Sequence, residues 1–333
     1  GCDLMANLST TTGISEVRVY PVQGPINKHE IAVIFRDRLF LTNRPDAPDQ
    51  VDVSRQLEEY GFSGPDSWGV RASGGEKFVA VCAAFNQVFL FQPLRAFMFN
   101  GYNPQTFSVE GAEVSGYTPV NQHCVVKAPL AEADSKNKMG MYFLAGGSGG
   151  AYHFTGIIAY DLAPYSSWWD DSVYPHIDMA NLPLTGCGVY WPEKNWILWA
   201  VPMILSGTTP QTTNNRVIVY DLTLKAWLPP FTWALASLTT AYERLTGAPG
   251  GLGRMRLLGG TYDGKIVQLL RSDATTDGGT TITGSVKTGW LSFGAPVVIK
   301  RPIRIWAYGK TAGASVTIKI YVDGEETTPA YTY

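Results

Sequence analysis

Apolar positions in this chain come in short runs broken by polar turns. "IAVIFRDRLFLTN" (Ile31 to Asn43) reads as two strands around a tight turn at Arg36-Asp37-Arg38. "FVAVCAAFNQVFLFQP" (Phe78 to Pro93) repeats the design, with its turn near Phe85-Asn86-Gln87. "GVYWPEKNWILWAVP" (Gly188 to Pro202) does so again, turning at Pro192-Glu193-Lys194-Asn195. Asn and Asp tolerate turn dihedrals and Pro presets one, so each polar break predicts a hairpin. "EVRVYPV" (Glu16 to Val22) predicts a further strand. Helical signals are few. "SRQLEEYGF" (Ser54 to Phe62) predicts a short helix capped by Ser54, and "PPFTWALASLTTAYERL" (Pro229 to Leu245) fits helix and strand equally.

Two longer units recur. "GIIAYDLAPYSSWW" (Gly156 to Trp169) and "NRVIVYDLTLKAW" (Asn215 to Trp227) share an apolar run, Tyr-Asp-Leu, a turn and an indole. "YFLAGGSGGAYHF" (Tyr142 to Phe154) and "RLLGGTYDGKIVQL" (Arg256 to Leu269) share a strand, a Gly pair, a turn and a second strand. Short strands recurring with aromatic and Gly signals predict an all-β fold, a β-propeller of four-stranded antiparallel blades. Residues 16–290 hold roughly six blades at about 45 residues each. Residues 1–15 read as an N-terminal extension or the end of a preceding segment. Glycine would let the blades approach closely. Tyr160 with Trp168, and Tyr220 with Trp227, are expected to pack between blades. Asp161 and Asp221 are expected to accept from backbone amides in the following turns. The alternative is that the Tyr-Asp pairs form a ligand site.

The tail changes style. In "ASVTIKIYVDGEET" (Ala314 to Thr327), Val316, Ile318, Ile320 and Val322 share one strand face, and Asp-Gly supplies a hairpin turn. Residues 291–333 therefore read as further antiparallel strands that close a ring or begin an appended β-domain.

Composition fits this reading. Of 333 residues, 45% are hydrophobic and only 16% charged, with 35 Gly and 21 Pro. Turns and buried strands account for that balance. The net charge of -2 carries no basic excess of the kind that marks nucleic-acid binding. "VIKRPIR" (Val298 to Arg304) reads as a solvated sheet face. No apolar run is long enough for a membrane span. Lipidation of Cys2 would need an apolar leader that the sequence does not contain.

The chemistry-bearing residues form no catalytic pattern. Cys2, Cys82, Cys124 and Cys187 are widely spaced, with no C-x-x-C pair. Cys82 reads as a small buried hydrophobe. His29, His123, His153 and His176 show no metal spacing. "SDATTDGG" (Ser272 to Gly279) misses the spacing of a calcium loop. "WWDD" (Trp168 to Asp171) pairs aromatics with carboxylates, as sugar sites do. Adjacent Asp170 and Asp171 would point apart, however, and a glycosidase needs two carboxylates across a groove. The residues thus predict no catalytic site, metal or cofactor.

Two resemblances follow. "GGSGGAYHFTGIIAYDLAPYSSWW" resembles a kelch repeat in the order of its Gly-Gly, Tyr and Trp. A broader resemblance is to the β-propeller proteins of tailed-bacteriophage virions. Five stretches carry it: "IAVIFRDRLFLTNRPDAPDQVDVS" (Ile31 to Ser54), "LRAFMFNGYNPQTFSVEGAEVSGY" (Leu94 to Tyr117), "MYFLAGGSGGAYHFTG", "NRVIVYDLTLKAW" and "FGAPVVIKRPIRIWAY". The resemblance implies a non-catalytic tail hub or nozzle protein of a short-tailed phage. It implies a ring of copies, commonly six, below the portal and adaptor, with DNA passing through unbound. A low charge fits such a lumen, because a strongly basic wall would hold the genome back. The rival reading is a carbohydrate-binding propeller that uses exposed Trp and Tyr with nearby Asp or Asn, or, further off, a glycoside hydrolase.

Overall fold

In a computed structural model, the described residues are 29–54, 67–69, 75–101, 106–112, 117–129, 139–147, 149–156, 159–162, 166–207, 209–244, 253–270, 276–277, 280–281, 319–320, 329 and 331–332. The chain divides into Gly1–Leu269 and Leu270–Tyr333.

The first unit is a series of antiparallel sheets, each wound in strand order. Strands β1 (Ile31–Phe35), β2 (Arg38–Arg44), β3 (Ala47–Val53) and β4 (Ser67–Gly69) make the first sheet. Strands β5 (Ala80–Ala84), β6 (Gln87–Gln92), β7 (Arg95–Asn100) and β8 (Ser108–Ala112) make the second. The third holds β9 (Val126–Pro129), β10 (Met139–Leu144), β11 (Ala151–Phe154) and β12 (Ala159–Asp161). Before the fourth come β13 (His176–Ile177) and a single helical turn, α1 (Leu182–Thr185). The fourth sheet holds β14 (Cys187–Trp191), β15 (Trp196–Val201), β17 (Arg216–Asp221) and β18 (Ala226–Phe231). The short β16 (Met203–Ile204) pairs instead with β13. Strands β19 (Ser237–Arg244), β20 (Gly253–Gly260) and β21 (Ile266–Gln268) make the fifth. The second unit shows two pairs, β22 (Thr276–Asp277) with β23 (Thr280–Thr281) and β24 (Lys319–Ile320) with β25 (Tyr331–Thr332).

The predicted hairpins are the first two strands of the first, second and fourth sheets. Arg36 and Asp37 both take positive φ, as do Phe85 and Asn86. Such paired left-handed residues make the turn whose twist matches the strands it joins. Asn195 and Lys225 each end a four-residue turn with positive φ. Residues 229–244 contain no helix: Pro229 and Pro230 lie in β18, which ends at Phe231, and β19 starts at Ser237. The expected helix at Ser54 to Phe62 lies outside the described residues after Ser54, whose hydroxyl accepts from the Leu39 amide.

Alternating faces explain how the sheets stack. In the second sheet, Val81, Val88, Leu90, Phe97 and Phe99 face the first sheet's Phe40, Val51 and Val53. Their neighbours Cys82, Phe89, Phe91 and Ala96 face the third sheet's Met141, Phe143 and Phe154. The third and fourth sheets share Tyr142, Leu144, Ile197, Trp199, Ile218 and Tyr220. The fourth and fifth share Leu198, Ala200, Val217, Val219 and Leu257. Because strand side chains alternate, one sheet supplies half of two successive cores. First strands lie side by side, β1 with β5, β9 with β14, and β14 with β19. A Cβ on Gly188 of β14 would come within 2.7 Å of Val126 in β9. This is the blade stacking of a β-propeller, with four complete four-stranded blades among the described residues.

Candidate functional site

The four seams between sheets are each closed by an amide side chain that bonds to backbone. Asn43 Nδ2 donates to the Phe78 carbonyl and its Oδ1 accepts from the Phe78 amide, both at 2.8 Å. Gln122 does the same with Val81, at 2.7 and 3.1 Å. Asn121 donates to the carbonyls of Pro183 and Gly186, each at 3.0 Å. Asn214 donates to Thr185 and Leu235 at 2.6 and 2.9 Å. A buried backbone group left unbonded is costly, and an amide offers both a donor and acceptors to satisfy it. Sequence inspection missed all four, because a lone Asn or Gln beside a strand has no signature of its partner.

The residues expected at the seams divide. Tyr220, Trp227 and Trp168 are buried together between the third and fourth blades. Tyr160 is not: it is 51% exposed, on β12, the fourth strand of its blade. The two Tyr-Asp-Leu units therefore sit in different strand positions, one in a fourth strand and one in the third strand β17. Asp221 meets its expectation, with Oδ1 accepting from the Thr223 and Leu224 amides at 2.8 and 2.9 Å. Its Oδ2 also accepts from Trp196 Nε1 at 2.8 Å. Asp161 is exposed, and residues 163–165 of its turn lie outside the described residues.

Most buried polar chemistry serves the scaffold. His29 Nε2 lies 2.7 Å from Asp52 Oδ2, which also faces Arg44 at 3.3 Å. His153 stacks on Tyr142 with ring centres 4.4 Å apart. His123 is exposed on a short 3-10 turn. Cys82, Cys124 and Cys187 are buried free thiols, and burial pushes those of Cys82 and Cys187 up to about 11. Such thiols are protonated at neutral pH and make poor nucleophiles. No group of three or more His, Cys, Asp or Glu is placed to hold a metal among the described residues. No described helix is long and apolar enough to cross a membrane.

One region departs from the regular blades. The connection at residues 166–186 and the excursion at 202–215 are tied together by the pairing of His176 with Ile204. Asp178 anchors both. Its Oδ1 accepts from the Ala180 and Asn181 amides, and its Oδ2 accepts from Asn181 Nδ2 at 2.9 Å and the Gln211 amide at 2.8 Å. Burial raises its carboxyl pKa, but these donors outweigh that and leave it lowered. From the fifth blade, the Tyr262 hydroxyl accepts from the Asn214 amide at 2.7 Å. This double excursion exposes Val173, Tyr174, Leu184 and Leu205. It also contains Asp170 and Asp171, both exposed. Asp170 Oδ1 accepts from the Ser172 amide and hydroxyl at 2.9 and 2.6 Å, so this part of "WWDD" is a capped turn. Irregular segments braced on a rigid scaffold are where binding residues concentrate, and this pair is the candidate site.

No family model and no curated protein sequence matches the chain. Solved structures align with it at low identity. Virginiamycin B lyase from Staphylococcus aureus is 9% identical over 78% of this chain and 75% of that one, with a TM-score of 0.41. A catalytically inactive form of that lyase with quinupristin gives 8%, 76%, 73% and 0.43. The fission yeast SREBP-SCAP binding domains give 10%, 86%, 88% and 0.35. At such scores no activity or partner carries over to this chain.

Proposed function

We propose that this protein is a non-catalytic structural component of a tailed-phage virion, part of the tail hub or nozzle around the DNA exit path. The observation that carries the reading is the placement of the resembling stretches. Ile31 to Ser54 covers β1 to β3, and Leu94 to Tyr117 covers β7 and β8. The "MYFLAGGSGGAYHFTG" stretch runs from within β10 through β11, and Asn215 to Trp227 runs from β17 into β18. Four loose motifs thus fall, in order, on four successive blades. "FGAPVVIKRPIRIWAY" lies outside the described residues. A scaffold whose buried carboxylates and amides are spent on holding blades together suits a part that must stay rigid under load.

Its partners on this reading are further copies of itself in a ring, probed first as a hexamer, and the portal, adaptor and other tail proteins. DNA passes without specific binding, in keeping with the net charge of -2. Immunogold electron microscopy with antibody raised to this chain, on particles from the source culture, tests it. Label at one end of the capsid is expected. Label spread over the capsid, or on no particle, overturns the tail assignment.

A further inference from the structure

The double excursion carries a group of side chains that the blade scaffold does not use. Tyr174 is 43% exposed, with its ring 5.0 Å from that of His176 and tilted by 36°. His176 Nδ1 lies 2.8 Å from the Val173 carbonyl oxygen. A carbonyl only accepts, so Nδ1 carries a proton, and in the neutral form of the ring Nε2 is the atom with a lone pair for an outside donor. Asp170 has committed Oδ1 to Ser172. Its Oδ2 is left to accept from solvent or a ligand. Ser172 holds that carboxyl below its usual range, through the bonds from its hydroxyl and its amide. Val173 and Leu205 are exposed on the same paired excursions, Leu205 directly after the strand that pairs with His176.

We propose that this group is a carbohydrate-binding site, with Tyr174 as the stacking platform and His176 Nε2 and Asp170 Oδ2 as acceptors for sugar hydroxyls. A pyranose has an apolar face of C–H groups and a rim of hydroxyls. An exposed phenol ring covers the first while a few fixed acceptors orient the second. The arrangement is built before any ligand arrives. The β13–β16 pairing fixes the strand that carries His176, and Asp178 ties both excursions together. Ser172 fixes the rotamer of Asp170. Preorganised acceptors lose little entropy on binding. Adjacent Asp170 and Asp171 do not act as a pair here, and no bond is broken. The site is independent of the virion assignment, since any propeller with this excursion would carry it.

The test uses the full chain. A glycan array of hexose, deoxyhexose and N-acetylhexosamine oligosaccharides is screened, and the best member is titrated calorimetrically. Saturable binding to at least one glycan is expected. Tyr174→Ala should weaken it about tenfold or more, and Asp170→Asn and His176→Phe several-fold. Tyr160→Ala, at an exposed tyrosine on the third blade, should bind normally. Because His176 is buried, its variant is read only if its melting curve matches the parent. Tyr174 and Asp170 are exposed, so their variants keep the test open if His176→Phe does not fold. An array with no saturable ligand overturns the proposal. Binding that Tyr174→Ala and Asp170→Asn leave unchanged overturns it too.

Discussion

The indole of Trp227 stands edge-on to that of Trp168, with ring centres 5.5 Å apart and planes at 84°. Its Nε1 donates to the Leu162 carbonyl at 3.2 Å. Leu162 ends one Tyr-Asp-Leu and Trp227 follows the other, so the two similar stretches of sequence are joined to each other across one seam. Edge-to-face packing and a satisfied indole N–H make this a strong contact. Its strength comes from meeting, since the two units are not equivalent by position.

Trp227 also packs on Trp199 and Tyr220, with ring centres 5.9 and 5.2 Å away. Trp227→Ala is expected to cost about 3–5 kcal/mol, by cavity formation and the loss of the Leu162 bond. Urea unfolding measures it. A loss under about 1 kcal/mol would mean the seam does not hold the third and fourth blades together.

Asn43 has positive φ and forms the two-bond link to Phe78. Asn43→Ala loses both bonds and puts alanine in a left-handed conformation that asparagine tolerates better, for an expected loss of about 2–4 kcal/mol. Asn43→Gly loses the bonds without the backbone cost and should fall short of that by about 1 kcal/mol. Equal losses in the two variants would remove the backbone part of this account.

The lowered carboxyl pKa of Asp178 sets a pH dependence. A carboxyl with a lower pKa in the folded state stabilises the fold above its ordinary value of 3.8, and that contribution is lost as pH falls through the folded value. Asp178→Asn removes this titration. Its stability deficit against the parent should be steady from pH 7 to pH 5 and shrink below about pH 4. Urea midpoints across that range would show it, and a deficit that stays constant into acid would contradict it.

The buried thiols predict slow chemistry. In a Cys2→Ser chain at pH 8, Cys82, Cys124 and Cys187 should resist a thiol reagent until denaturant is added, then react together. Burial raises all three thiols and blocks access to them. Prompt labelling of one thiol in the native chain would show that its seam opens readily.

The strand content, the hairpins at Arg36-Asp37, Phe85-Asn86 and Pro192 to Asn195, and the Asx turn at Asp221 were legible in the sequence. Each is decided within a few residues, by alternation of apolar positions and by side chains that accept left-handed or turn backbone. The blade repeat was partly legible for the same reason. First strands begin at Ile31, Ala80, Val126, Cys187 and Ser237, and the longest interval holds the connection that carries β13 and α1. Tertiary structure alone decided that Tyr160 faces solvent while Tyr220 is buried. Both end similar strands, but β12 lies at the sheet edge and β17 lies between β15 and β18. Tertiary structure alone also chose Asn43, Gln122, Asn121 and Asn214 as seam closures, and brought Gln211 to Asp178 across the two excursions. Local sequence sets where a side chain points along its strand. Which backbone group stands opposite depends on the sheet packed against it, and that neighbour is fixed only when the apolar faces of successive blades close on each other.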